Sequence, residues 1–366
     1  MSFEAYFNRA WYGKSKWTHL FLPLSPLVSY LVNQKRARFL AQKKDKPQFI
    51  PPVIVVGNIT VGGTGKSPMV LALVKALKQA GYSPGIVSRG YGVSATVPIL
   101  VTQKSLASEC GDEPVMLVRR ADCPLVICQD RVAAINTLLM DESIDLVISD
   151  DGMQHYAMMR DIEFLMLDAT RGLGNGKLLP VGPLREPVTR LNQVDFIVSL
   201  MSADDGLSVA TRSEKLRYLL SRYDGVNLDD ALCEKLVPVP LQASELIHLK
   251  TGKAAPLTIL NEYPNWQIVA GIGNPERFLN TLLEKGLKPG FKTSWFADHH
   301  DFSEQDISDD LPVVMTEKDA VKCKDLILIN DNVWYLPIEV SLPKACVDSL
   351  LLQLTKIKLE KQLVGK

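Results

Sequence analysis

The segment VIVVGNITVGGTGKSPMVLALVKAL carries the clearest chemistry in the chain. Gly62, Gly63 and Gly65 lack Cβ atoms, so successive backbone N–H groups can converge on an anion where a helix begins. Lys66 adds a compact cation for the β- and γ-phosphates, and the Ser67 hydroxyl offers a ligand for Mg²⁺. Val61, Gly62, Gly63, Thr64, Gly65, Lys66 and Ser67 are therefore the expected cradle for the phosphates of ATP. Pro68 falls in the first helical turn, where a missing donor costs little. One position departs from the G-x-x-x-x-G-K-[ST] pattern, since Thr60 stands where the first glycine is usual. A second glycine string, GIGNP at 271–275, lacks the lysine and the hydroxyl and reads as an ordinary βα turn.

A phosphate loop needs a carboxylate from a neighbouring strand to complete its metal site, and LVISDDGMQH puts Asp150 and Asp151 directly after an apolar run. Such a pair can also be a solvated turn or a helix cap. Gln154 and His155 are close enough in sequence to join the site. An acceptor hydroxyl would need a base, and two places offer one. In CGDEP, Asp112 and Glu113 stand where a helix starts, so they are either a base or a cap. In FADHHDF, His299 and His300 lie between Asp298 and Asp301 and could bind metal, orient a base or form a polar turn. Arg185 and Glu186, in the Pro-rich string LLPVGPLREP, suit either an oxygen-rich phosphate or a surface ion pair.

These residues must be held by elements, and from Pro51 onward short β-branched runs alternate with helical patterns. The expected fold is α/β: a P-loop NTPase-type parallel sheet flanked by helices, with a second, smaller α/β domain and an N-terminal membrane-associated helix. The expected divisions are a membrane-interface segment over 1–47, a P-loop domain over 48–230, a linker over 231–262, and a smaller domain over 263–366 with a closing helix. If the FADHHDF string serves the chemistry rather than a polar turn, His299 and the phosphate loop lie on different domains, and the site is expected to form between them and tighten on closure.

Lys plus Arg and Asp plus Glu both number 41 in 366 residues, so no global field draws nucleic acid and none is expected as partner. Six scattered cysteines without zinc spacing read as reduced thiols. The first residues lack the pattern of a secretory signal. Residues 20–32 are apolar but short and hold Pro23 and Pro26, so a simple membrane span is not expected. Trp11, Tyr12 and Trp17 precede that run, and Lys35, Arg36, Arg38, Lys43, Lys44 and Lys46 follow it. Aromatic, apolar and basic groups in that order suit an anionic membrane surface, or else a helix packed on the core with solvated lysines.

Taken together, GNITVGGTGKSP, SRGYG, GDEP, SDDGMQH, LLPVGPLREP, FADHHDF and VMTEKDAVK resemble the tetraacyldisaccharide 4′-kinases, or lipid A 4′-kinases, over nearly the whole chain. Thr60 fits that family's loop, and Ser67 keeps the hydroxyl where members often have Thr. The resemblance implies transfer of the ATP γ-phosphate to the 4′-hydroxyl of a tetraacylated, 1-phosphorylated glucosamine disaccharide. It implies a glycolipid substrate, Mg²⁺, and a peripheral or monotopic place on the cytoplasmic face of the bacterial inner membrane, with no obligate protein partner evident. Asp112 would be the base, His299 its partner, Asp150 and Asp151 metal ligands, and Lys66 and Arg185 the cations on the phosphoryl group. The reading from another class is a membrane-associated ATPase switch of partitioning type, which would hydrolyse ATP without lipid. A soluble small-molecule kinase with an incidentally apolar N-terminus is a further alternative.

Overall fold

Every residue of the strand Val53–Gly57 is buried, as a central strand covered on both faces must be. In the computed structural model, which describes residues 3–13, 15–41, 51–90, 93–202, 207–243, 245–298, 300–324, 326–327 and 329–364, this strand lies in a nine-stranded sheet. Its members in chain order are β1 (Val53–Gly57), β2 (Pro84–Ser88), β3 (Ile99–Val101), β4 (Leu125–Ile127), β5 (Leu146–Asp150), β6 (Ile162–Asp168), β7 (Phe196–Ser202) and β8 (Leu236–Gln242), with one strand from the far end of the chain. All pair in parallel except the two edge strands. Side chains of β1 alternate between faces, so Ile54 and Val56 enter one core and Val53 and Val55 the other.

Two helices, α1 (Phe3–Tyr12) and α2 (Ser25–Ala41), precede the sheet. The phosphate-loop helix α3 (Lys66–Gln79), the single turn α4 (Ala107–Cys110), α5 (Asp112–Ala121) and α6 (Arg131–Leu138) follow. After β7 come α7 (Val209–Leu220) and α8 (Asp230–Glu234). Leu73 and Leu117 pack α3 and α5 on one face of the sheet, while Ile135, Leu216 and Leu232 pack α6, α7 and α8 on the other.

A six-stranded sheet follows, made of β9 (Glu245–His248), β10 (Ala254–Pro256), β11 (Gln267–Ala270), β12 (Lys292–Trp295), β13 (Val313–Thr316) and β14 (Val333–Leu336). Its helices are α9 (Pro275–Glu284) and α10 (Glu317–Cys323), on opposite faces. The chain then returns through β15 (Glu339–Val340) to the edge of the large sheet and ends in α11 (Lys344–Val364).

The expected linker over 231–262 is corrected here, since it holds β8 of the large sheet and β9 and β10 of the smaller one. Pro238 and Pro240 hid β8 from the sequence. Ile197 N donates to Lys235 O, a register that turns both prolines to the side away from β7, where β15 does not reach them. The closing helix is corrected likewise: Cys346, Leu350 and Leu354 enter the core of the large sheet rather than the smaller one.

Candidate active site

The phosphate loop is built as its residues require. Gly62 and Gly65 have φ of +104° and +85°, a region that disfavours a Cβ, and Gly65 precedes α3 directly. Gly63 has neither a positive φ nor a protein atom within 4 Å of where its Cβ would stand, so protein packing does not explain its lack of a side chain. A ligand lying on the backbone would. Thr60 replaces the usual first glycine because its backbone is extended and bridged to Leu184, and Arg185 N donates to Ile59 O at 2.7 Å. The Pro-rich loop thus runs beside the entrance to the phosphate loop and carries Arg185 with it. Asn58 Nδ2 donates to Gly62 O at 3.2 Å and ties the turn from below.

At the end of β5, adjacent to β1, Asp150 and Asp151 face this loop. Asp150 is buried, accepts from Ser88 Oγ at 3.2 Å, and keeps one oxygen without a hydrogen-bond partner among the described residues. Burial first, then Glu113 and Asp151, push its pKa from 3.8 up to about 7, against the pull of Lys66 and Arg131. Asp151 has φ of +48°, a strained value for a non-glycine residue. Burial would raise it, yet Lys66 at 3.5 Å and Arg185 at 3.8 Å hold it below its ordinary value. Arg185 also donates to Gln154 Oε1 at 3.3 Å. The residues fit a phosphate-bound Mg²⁺: a hydroxyl, two carboxylates and a buried oxygen with unused acceptor capacity. Among the described residues no group of three His, Cys, Asp or Glu side chains could form an all-protein metal cage.

The smaller sheet supplies the opposite wall. Gly273, in the βα turn after β11, approaches so closely that a Cβ there would stand 3.2 Å from Gly63 N. The glycine string that reads as an ordinary turn is thus one point of contact between the two halves. Asp112 begins α5 after Gly111, whose φ is +88°, and is buried. Its neighbour Glu113 accepts from Ser67 Oγ at 3.4 Å. Lys318 and Lys322 of α10 reach Asp112 Oδ2 at 3.9 and 3.5 Å, and Lys318 also meets Asp298 Oδ1 at 2.8 Å.

His299 lies outside the described residues. His300 is stacked on Phe296 with centroids 4.4 Å apart and lies 3.3 Å from Asp306. Sequence reasoning gave no role to Lys318 and Lys322, although their i, i+4 spacing was a readable signal for a shared helix face. It also missed Arg131, buried beneath the acidic strand end with its guanidinium on Cys128 O and Asp150 O at 2.7 and 3.3 Å. Nothing in its local sequence marked it.

Residues 17–356 match the family described as Tetraacyldisaccharide-1-P 4'-kinase. The chain belongs to that family. A tetraacyldisaccharide 4'-kinase of Pseudomonas putida (strain GB-1) is 42% identical over 346 residues, 93% of each chain. That of Tolumonas auensis is 39% identical over 355 residues, 96% of this chain and 98% of its own. The crystal structure of LpxK from Aquifex aeolicus in complex with ATP has a TM-score of 0.71 over 93% of this chain and 99% of its own; at 24% identity this is a likeness of fold. The activity is phosphorylation of the 4′-hydroxyl of a tetraacyldisaccharide 1-phosphate, the lipid A 4′-kinase step, and the partitioning-type switch is not favoured.

In this kinase the cleft between the two sheets measures about 1290 Å³, and Phe7, Trp11 and Lys35 of the first two helices help line it. Trp11 Nε1 donates to Pro180 O at 3.1 Å and Thr18 Oγ1 to Val181 O at 2.9 Å, fastening the N-terminal segment to the Pro-rich loop. On α2, Phe39 packs on Tyr156 at 5.3 Å and Arg36 lies 3.8 Å from Glu186. One side of this segment packs on the kinase, while Leu20, Leu27, Tyr30 and Leu31 face outward and are 53–82% exposed. Lys43, Lys44 and Lys46 lie outside the described residues. Among the described residues, no helix is long and apolar enough to cross a membrane.

Proposed function

We propose that Asp112 is the base that takes the proton of the 4′-hydroxyl, and that the phosphate loop presents ATP to it. The single observation behind this reading is the hydrogen bond from Ser67 Oγ to Glu113, which brings the phosphate cradle and the start of α5 to one corner of the cleft. The acceptor oxygen bonds to the γ-phosphorus, the bond to the β–γ bridging oxygen breaks, and ADP departs. Main-chain N–H groups of Gly62 to Gly65 bind the phosphate oxygens, and Lys66 and Arg185 meet the charge that spreads onto the phosphoryl group. Ser67, Asp150 and Asp151 would hold Mg²⁺, which supplies positive charge to the phosphate oxygens. His299 is assigned as the partner of Asp112 on its motif, next in the chain to Asp298.

The membrane reading rests on the outward residues of the 3₁₀ helix Trp17–Leu24 and of α2. Leu20, Leu27, Tyr30 and Leu31 can enter the interface of an anionic bilayer while Arg36 and Phe39 keep the helix seated on the kinase. That arrangement would set the cleft at the cytoplasmic face of the inner membrane, where an acylated disaccharide resides.

The test is label transfer from γ-labelled ATP to tetraacyldisaccharide 1-phosphate. Asp112→Asn is expected to lower kcat by about 10²–10⁴-fold with the fold retained. A variant that transfers at the wild-type rate would remove Asp112 from the base role. Leu27→Ser with Leu31→Ser is expected to weaken sedimentation with anionic vesicles and to leave transfer to detergent-dispersed acceptor within about threefold of wild type.

A further inference from the structure

The string VMTEKDAVK puts Lys318 on the wall of the cleft and Lys322 one turn further along the same helix. Lys318 and Lys322 are four residues apart on α10 and share one side of it. Lys318 Nζ lies 2.8 Å from Asp298 Oδ1, 3.9 Å from Asp112 Oδ2 and 3.9 Å from Glu113 Oε1. Burial works against its charge, but Glu113, Asp112 and Asp298 outweigh that and hold its pKa well above the ordinary lysine value. Lys322 Nζ lies 3.5 Å from Asp112 and donates to His300 O at 2.8 Å, so it fastens the main chain of the same loop.

The origin of these groups gives the cluster its meaning. Asp112 and Glu113 begin α5 of the large sheet, whereas Asp298 and both lysines belong to the smaller sheet. Three carboxylates brought together across a boundary repel one another, and they repel an anionic nucleotide as well. A permanent cation among them changes the sign of that contact. A second ion pair supports the same docking: Arg120 at the end of α5 meets Glu317 at the start of α10 at 2.8 Å. The elements carrying Asp112 and Lys318 are thereby pinned side by side.

We propose that Lys318 is a positioning residue of phosphoryl transfer, whose charge clamps Asp112 of one half to the Asp298 loop of the other. The proposal rests on the reading of Asp112 as base. It makes α10, rather than the phosphate loop, the element that completes the site when the halves meet. Lys318 acts through the two carboxylates, so its loss should slow the transfer step and leave the hold on ATP largely intact.

Transfer kinetics of the full chain with MgATP and tetraacyldisaccharide 1-phosphate test this, alongside thermal melting of each variant. Lys318→Met is expected to lower kcat about thirtyfold with KM for MgATP within about threefold of wild type. Lys318→Arg, which keeps the charge, should return about a third of wild-type kcat or more. Asp298→Asn should cost about tenfold alone and little more in the Lys318→Met background, because the two act as one pair. The clamp is overturned if Lys318→Met keeps kcat within about threefold of wild type, if the Arg variant is as slow as the Met variant, or if the Asp298 and Lys318 effects multiply independently. Should Lys318→Met melt too early to assay, the Asp298→Asn rate decides. Asp112→Asn in the same assay separates the two claims: an active variant sinks the base itself, while an inactive one beside an active Lys318→Met sinks the clamp alone.

Discussion

Two groups of buried charges lie close together in this kinase, and they are built differently. In the first, Arg190 binds Glu163 and, at 3.1 Å, Glu186, while Arg160 lies 3.3 Å from Glu163. Burial would raise Glu163, but Arg190 and Arg160 hold it below its ordinary value. In the second, Asp150 and Asp151 meet cations only at longer range, one oxygen of each lacks a hydrogen-bond partner among the described residues, and Asp150 is pushed up. In the first group both carboxylates are paired with guanidinium groups and serve the fold, although Arg160 Nε and Arg190 Nη1 have no partner among the described residues. The second retains capacity for something that binds.

That contrast can be broken most directly at Lys66. Lys66→Ala is expected to cost about 10²–10³-fold in transfer rate while thermal unfolding stays near wild type, since the residue serves a reacting phosphate. A loss below about tenfold would put Lys66 with the structural charges instead. In the other group the effect should fall on stability: Glu163→Gln removes the anion that Arg190 and Arg160 share and leaves only Glu186 to balance them, at about 3–5 kcal/mol by denaturant titration. Retention of wild-type stability would show that the first group is no more a structural lock than the second.

Gly63→Ala sharpens the same distinction on the backbone. The new methyl meets no protein atom within 4 Å, so stability should change by less than about 0.5 kcal/mol while MgATP binding weakens about tenfold or more. Unchanged nucleotide affinity, measured by calorimetry, would leave that glycine unexplained.

The smallest effect is one of sign. In metal-free protein the folded state holds the Asp150 proton more tightly than the unfolded chain does. The stability from this group is therefore complete below about pH 4 and is lost as pH rises through about 7. Asp150→Asn should match wild type at pH 4 and melt higher than it at pH 8. Mg²⁺ should bind wild type less well as pH falls through about 7, because the carboxylate must be ionised. A metal-free Asn variant that melts below wild type at pH 8 would contradict the burial argument.

How much of this was legible beforehand follows from the range of each interaction. The phosphate loop, α3 and the acidic end of β5 depend on residues adjacent in sequence, and the alternation of β-branched runs with helical patterns located most strands of the large sheet. β8 was hidden by its prolines, whose tolerance depends on which neighbour each imide faces. The place of α11 was equally closed to sequence, because an apolar stripe states that it must be buried and not on which sheet.

The sequence by itself determined the local chemistry: a glycine turn that can wrap phosphate, a hydroxyl and paired acids for a metal, and an N-terminal segment apolar on one side. Only the tertiary structure decided that Gly273 presses on that turn, that Lys318 joins Asp112 to Asp298, and that Arg131 lies beneath Asp150. Glycine conformation and helix spacing act over a few residues, so a string of letters records them. Electrostatic and steric contacts act through space, and 206 positions separate Asp112 from Lys318 until two sheets fold and meet.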